Sequence, residues 1–255
     1  MQATKSTSIE YGKRGENKIF LAYIYAALDH ELPEKGFYKY YARQSFLMTG
    51  LVDLIVMVAE LMALAARTAP KARGSDSLYI RVITGTDLNR LSEEMRRLGD
   101  LYDLGFFARD AGNLEKSGAC LQVGAKGGEV IGLDCGACGY STCKEMLKAQ
   151  KEVMAKRSQR TQMAQKTPES QGRQKTSEGI ADKPFLGPNC AIKMADLGIA
   201  LGSAAKTASL HNVDNRIMYT AGTAALSLGW MEGCTVAYGI PLSASGKNIY
   251  FDRQE

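Results

Sequence analysis

Histidine is nearly missing from this chain: there are two in 255 residues, His30 and His211. Far apart in sequence, they support neither a catalytic triad nor an imidazole metal site, and each is read as a helix-end polar residue. Also missing is a long charge-free apolar run. The most apolar stretch, residues 46–66, contains Asp53 and Glu60, seven residues apart and so on one helical face. Two acids in hydrocarbon would be costly, so the stretch reads as a buried amphipathic helix and the protein as having no membrane partner. No basic, apolar and small-residue leader opens the chain, and a cytoplasmic location is expected. The charge excess is small and local. Of the net +5, residues 151–183 supply +4, with eight Lys or Arg against four Asp or Glu. A nucleic-acid-binding face would need basic residues spread over a folded surface, so no nucleic-acid partner is expected. No internal repeat is visible.

What remains suits one sizeable core of mixed helices and strands: 45% hydrophobic residues and 26 glycines. After the helix at 46–67 comes a turn at Pro70–Gly74. Residues 78–84, Leu-Tyr-Ile-Arg-Val-Ile-Thr, form a β-rich run that reads as a strand. Thr86 then caps a helix over 87–102, whose Leu88, Leu91, Met95 and Leu98 recur at helical spacing. Further strands are expected at 119–124, 130–133 and 234–240. Further helices are expected at 143–157, 190–210 and 215–228, the last capped by Asp214 and ended by Gly229. Residues 158–182 hold almost no large apolar groups and read as a disordered insert. The expected layout is an N-terminal extension at 1–45 and a first part of an α+β core at 46–133. A cysteine loop and helix follow at 134–157, the insert at 158–182, and a second part of the core at 183–255.

Six cysteines in a reducing compartment point to metal or redox chemistry rather than disulfides. Three of them, Cys135, Cys138 and Cys143, fall within nine residues in the run Asp-Cys-Gly-Ala-Cys-Gly-Tyr-Ser-Thr-Cys. A 4Fe–4S cluster needs four converging thiolates, and a tight loop supplies three of them economically. Gly136 and Gly139 let the backbone approach the cluster. Thr142 and Glu145 have the spacing of a capping box, which places Cys143 in a first helical turn facing the positive end of the helix dipole. The same pattern recurs where Gly187, Pro188 and Asn189 lead into Cys190, with Asn189 as the expected cap. Cys190 is the leading fourth ligand, although 46 residues separate it from Cys143; loop-closure cost grows only logarithmically with length. Cys120 and Cys234, which read as small buried strand residues, are the alternatives, together with a non-cysteine ligand. Zinc also accepts four thiolates, but its sites more often pair two C-x2-C knuckles, and one is present here. Tyr140 is expected to shield the site from water.

Several stretches together resemble a family of uncharacterised bacterial and archaeal ferredoxin-domain proteins. They are Ala65–Lys71, Cys135–Gly139, Gly187–Cys190, Asp196–Ala204, Gly239–Ser243 and Gly246–Arg253. The resemblance runs from about residue 50 to the C-terminus, outside the 158–182 insert, and implies a 4Fe–4S protein with Cys190 among its ligands. The cysteine loop alone is also similar to the cluster domain of Rnf-type electron-transport subunits, where the fourth cysteine is much nearer. The helix–turn–strand at 58–84 and the helix–Gly229–strand at 215–240 resemble the nitroreductase fold, a helix-flanked sheet in α+β homodimers with FMN at the interface. That family's paired arginines are not evident. The resemblance implies FMN as a second cofactor, with Lys71, Arg73 and Lys247 to hold its phosphate; solvated loop charges are the other reading of these three. The functions expected are electron transfer with an unidentified redox partner protein, or an oxidoreductase module. A redox- or iron-responsive regulator and a structural zinc site are the alternatives.

Overall fold

A computed structural model describes residues 36–166 and 185–251, with side chains over 50–159 and 185–251. The chain divides into two units, residues 1–50 and 51–255. Of the first, residues 36–50 are described and are helical; His30 lies outside the described residues. The second unit is a four-stranded antiparallel sheet between two layers of helices. Its strands are β1 (Leu78–Ile83), β2 (Ala119–Ala125), β3 (Asp214–Asn215) and β4 (Val236–Ser243), in the order β1-β2-β4-β3.

Alternation along the central strands decides which helices cover each face. Ala119, Leu121, Val123 and Ala125 of β2 join Val236, Ile240 and Leu242 of β4 on one side. Two helices close that side: α1 (Gly36–Thr68), through Ile55, Val58, Ala59, Met62 and Ala66, and α5 (Ala191–Leu210), through Leu197, Ala200, Leu201, Ala204 and Ala208. The opposite side carries α2 (Thr86–Tyr102), α3 (Phe106–Glu115) and α6 (Tyr219–Ser227) over Cys120 and Ala237. The remaining helix, α4 (Cys143–Lys166), begins beside the sheet end defined by Leu78, Ala125 and Val236.

Several sequence expectations are met and others are corrected. The four helical-period residues of the 87–102 segment are buried on α2, but Thr86 opens that helix instead of capping it; Gly85 holds the cap position with φ 57°. Residues 130–133 form no strand, and Ile131 packs instead against Met146 and Cys190. Asp214 caps nothing: it pairs with Ser243 as part of β3, and α6 begins later, at Tyr219. Gly229 does follow that helix with φ 72°. α3 was not anticipated at all. The first nine residues of the expected insert, 158–166, are helical as the end of α4; 167–182 lie outside the described residues. On α1, Asp53 and Glu60 are exposed as expected, but so are Leu54 (54%), Met57 (52%) and Leu64 (59%). Among the described residues no helix is long and apolar enough to cross a membrane.

Two helical glycines have opposite surroundings. Gly222 lies where α6 rests directly on β4, and a Cβ there would run into the Ala237 carbonyl. Gly198, expected to allow close packing, has nothing within 4 Å of a would-be Cβ. Gly222→Ala should therefore destabilise the fold by about 1–3 kcal/mol, because backbone cannot move aside as a side chain can. Gly198→Ala should stabilise it by roughly 0.5–1 kcal/mol through helix propensity. Chemical denaturation of the two variants beside the parent checks both signs.

Candidate metal centre

β2 delivers the chain at Ala125 into a long connection, residues 126–142, that carries the cysteine loop to α4. The loop is folded by local bonds. Gly139 N–H donates to Gly136 O at 2.9 Å, and both glycines have positive φ, 85° and 72°. Asp134 sits just before Cys135 with φ 46°, and its Oδ1 accepts the Cys143 N–H at 2.6 Å. Thr142 Oγ1 accepts the Glu145 N–H at 3.2 Å. Two side-chain oxygens therefore satisfy N–H groups that the first turn of α4 would otherwise leave open. The Thr142 half of the expected capping box is present, and the Asp134 contribution was not foreseen, because its partner is nine residues away.

Cys190 reaches the same place from the other side. It is the N-cap residue of α5, its N–H donates to Gly127 O at 3.0 Å, and its carbonyl accepts from Met194 N–H at 3.1 Å. Asn189, expected to cap this helix, does not. Its Nδ2 donates to Leu186 O at 2.6 Å, and its Oδ1 accepts from Thr235 Oγ1 and Gln150 Nε2.

Cys135, Cys138, Cys143 and Cys190 all line one hollow, together with Asp134 and Tyr140. The hollow opens to solvent. Cys190 is buried at 6% exposure, Cys138 and Cys143 are half-buried, and Cys135 is exposed. The starts of α4 and α5 meet at this hollow, so two positive dipole ends face whatever it holds. Among the described residues no three His, Cys, Asp or Glu side chains gather tightly enough to hold one ion.

The other two cysteines do not line the hollow. Cys120 is wholly buried on the α2–α3–α6 side of the sheet, and burial pushes its thiol up to about 12. Cys234, just ahead of β4, is pushed up to about 11, again chiefly by burial. Metal ligation needs the thiolate, which both sites disfavour. Both are the small buried residues the sequence suggested.

A buried ion pair that the sequence did not announce lies near the hollow. Lys193, in the first turn of α5, is fully buried; its Nζ donates to Ser75 O at 2.5 Å and lies 3.4 Å from Asp196 Oδ2. Asp196 Oδ1 accepts the Ala72 N–H at 3.0 Å. This buried pair fastens the turn at Ala72–Gly74 onto α5, and Ala72 packs beside Ile131, Met146 and Cys190.

The three cations expected at a flavin phosphate are not gathered at one. Lys71 Nζ donates to the carbonyls of Ala66, Arg67 and Ala69, closing the C-terminal end of α1. Arg73 Nη1 donates to Ile131 O at 3.4 Å. Both precede β1, at the sheet end near the hollow, whereas Lys247 follows β4 past the opposite end. His211 is the C-cap residue of α5, the helix-end role expected of it.

A family model described as "Uncharacterized protein containing a ferredoxin domain (DUF2148)" matches residues 186–253, the stretch that holds Cys190 and β4. An uncharacterized protein of Archaeoglobus fulgidus is 38% identical over 199 residues, covering 78% of this chain and 91% of that one. Identity of that extent spans nearly the whole relative, and the chain belongs to this family of proteins containing a ferredoxin domain.

Proposed function

We propose that the protein carries one 4Fe–4S cluster on Cys135, Cys138, Cys143 and Cys190 and passes single electrons through it to a redox partner protein in the cytoplasm. The observation that carries this reading is the convergence of four thiols, from two segments 46 residues apart, on one hollow at two helix starts. The family's ferredoxin domain supports it. A cluster, when bound, supplies the one-electron chemistry; the chain supplies ligation, burial and a suitable field. Here the α4 and α5 starts favour the negative charge of a thiolate-ligated cluster, and Tyr140 and Met146 limit water on the inner wall. Asp134 holds Cys143 in the first turn of α4 through the Cys143 N–H. Zinc sites more often pair two C-x2-C knuckles, and this sequence has one, which favours a cluster.

Anaerobically purified protein should contain iron and acid-labile sulfide in equal amount, about four of each per chain, and give an EPR signal when reduced. One zinc per chain with no sulfide would sink the reading. Within this scheme Cys190→Ser loses most of the iron, while Cys120→Ala retains it; iron content at parental level in Cys190→Ser would remove that cysteine from the ligand set. Asp134→Ala frees the Cys143 N–H and should cost about 1 kcal/mol as a lost helix cap. That loss is readable as a lower denaturation midpoint in metal-free protein and faster cluster loss in air.

A further inference from the structure

The fourth cysteine stands apart from the other three in how it is held. Cys135, Cys138 and Cys143 belong to one loop, whereas Cys190 opens α5 and is tied to the connection after β2 by its own N–H. Its N–H donates to Gly127 O at 3.0 Å. Gly127 N–H donates in turn to Thr235 Oγ1 at 3.1 Å. The Thr235 hydroxyl lies 2.6 Å from Asn189 Oδ1 and 3.3 Å from Ala125 O. It has one proton to give, and the shorter contact takes it. Because Asn189 is bonded to Cys190, the path closes: Cys190, Gly127, Thr235, Asn189 and back to Cys190. The ring encircles the peptide that sets where the Cys190 side chain starts.

The ring is anchored to rigid structure on every side. Thr235 N–H donates to Ala125 O at 2.9 Å at the end of β2, and Leu186 N–H donates to Thr235 O at 3.0 Å. Gln150 of α4 donates to Pro188 O at 2.8 Å and to Asn189 Oδ1 at 3.2 Å, tying the helix that begins at Cys143 to the segment before Cys190. Thr235 and Gln150 are 2% and 5% exposed, so these bonds are sheltered from competing water and hold their geometry. The ring also leaves no spare room, since a Cβ on Gly127 would run into Asn189 Oδ1.

We propose that Thr235 is a positioning residue for Cys190, acting through Gly127 and Asn189 to hold the fourth thiol toward the hollow before any metal arrives. Its relevance to a cluster rests on the function proposed above; the positioning itself is testable without metal. Thr235→Val keeps the shape and removes the hydroxyl, while Thr235→Ser keeps the hydroxyl. In metal-free protein, iodoacetamide labelling resolved by peptide mass should show Cys190 reacting several-fold faster in Thr235→Val, with Cys135 and Cys143 at their parental rates. Thr235→Ser should restore the slow rate. In cluster-loaded protein Thr235→Val should weaken cluster retention roughly 10- to 100-fold, as loss of an outer-shell partner commonly does, and alter the EPR signal, with serine again restoring both. Unchanged Cys190 labelling in Thr235→Val, equal acceleration of all the thiols, or a serine variant no better than valine would each overturn the proposal. If Thr235→Val does not fold, Asn189→Ala opens the same ring and is judged by the same criteria. Selective exposure of Cys190 in a protein that never takes up iron would leave the positioning standing and refute the cluster.

Discussion

β2 and β4 run antiparallel from Ala119 opposite Leu242 to Ala125 opposite Val236, and the bonds around Cys190 are hung from the last of these pairs. Just past Ala125 the chain offers Gly127 to Cys190; just before Val236 it offers Thr235 to Asn189. A slip of one residue in this pairing would turn every side chain of the strand to the other face. It would also carry Thr235 away from Gly127. The register is held by burial on both sides: all seven residues of β2 are buried, with α1 and α5 on one face and α2, α3 and α6 on the other. The precision of a polar site thus depends on the packing of an apolar sheet some distance from it.

Two kinds of cysteine coexist in the chain, and their environments explain the difference. Cys120 and Cys234 sit against apolar groups, where an ionised sulfur would be poorly solvated, and their thiols are held protonated. The four around the hollow sit at the cysteine loop and two helix starts, and Cys135 is exposed to solvent. The buried Lys193–Asp196 pair does different work. It contributes no net charge to the hollow, but losing either member would leave the other charged and buried, so the pair fixes the Ala72–Gly74 turn firmly over Cys190.

The parts of this site that the sequence announces are those built from neighbours. The C-x2-C-x4-C spacing, the glycines within it and the Thr142 cap all lie inside one short stretch, and the helical period of α2 is likewise local. What was missed is non-local or ambiguous in kind. Asn189 before a helix reads as a cap by residue type alone; only the arrival of Thr235 and Gln150 from elsewhere redirects its amide. Asp134 serves a helix nine residues on. The apolar residues of α1 were counted correctly as a helix, but the count does not say that Leu54, Met57 and Leu64 would face outward. α3 carries Phe107, Ala111 and Leu114 at helical spacing, yet it is short and begins after Gly105, and the segment reads as a connection until α2 and α6 are seen to pack on it.

The residues that line the hollow all precede β4, yet Thr235, which steadies the start of α5, comes later in the chain, after α6. A ribosome that has released residues up to the end of α5 has produced all four thiols, but not Thr235 or the strand that holds Ala125 in register. Three cysteines are then grouped by their own loop, while the fourth has its bond partner Gly127 but lacks Thr235, which joins Gly127 to Asn189. The order of the chain thus separates making the ligands from closing the bonds around the last of them.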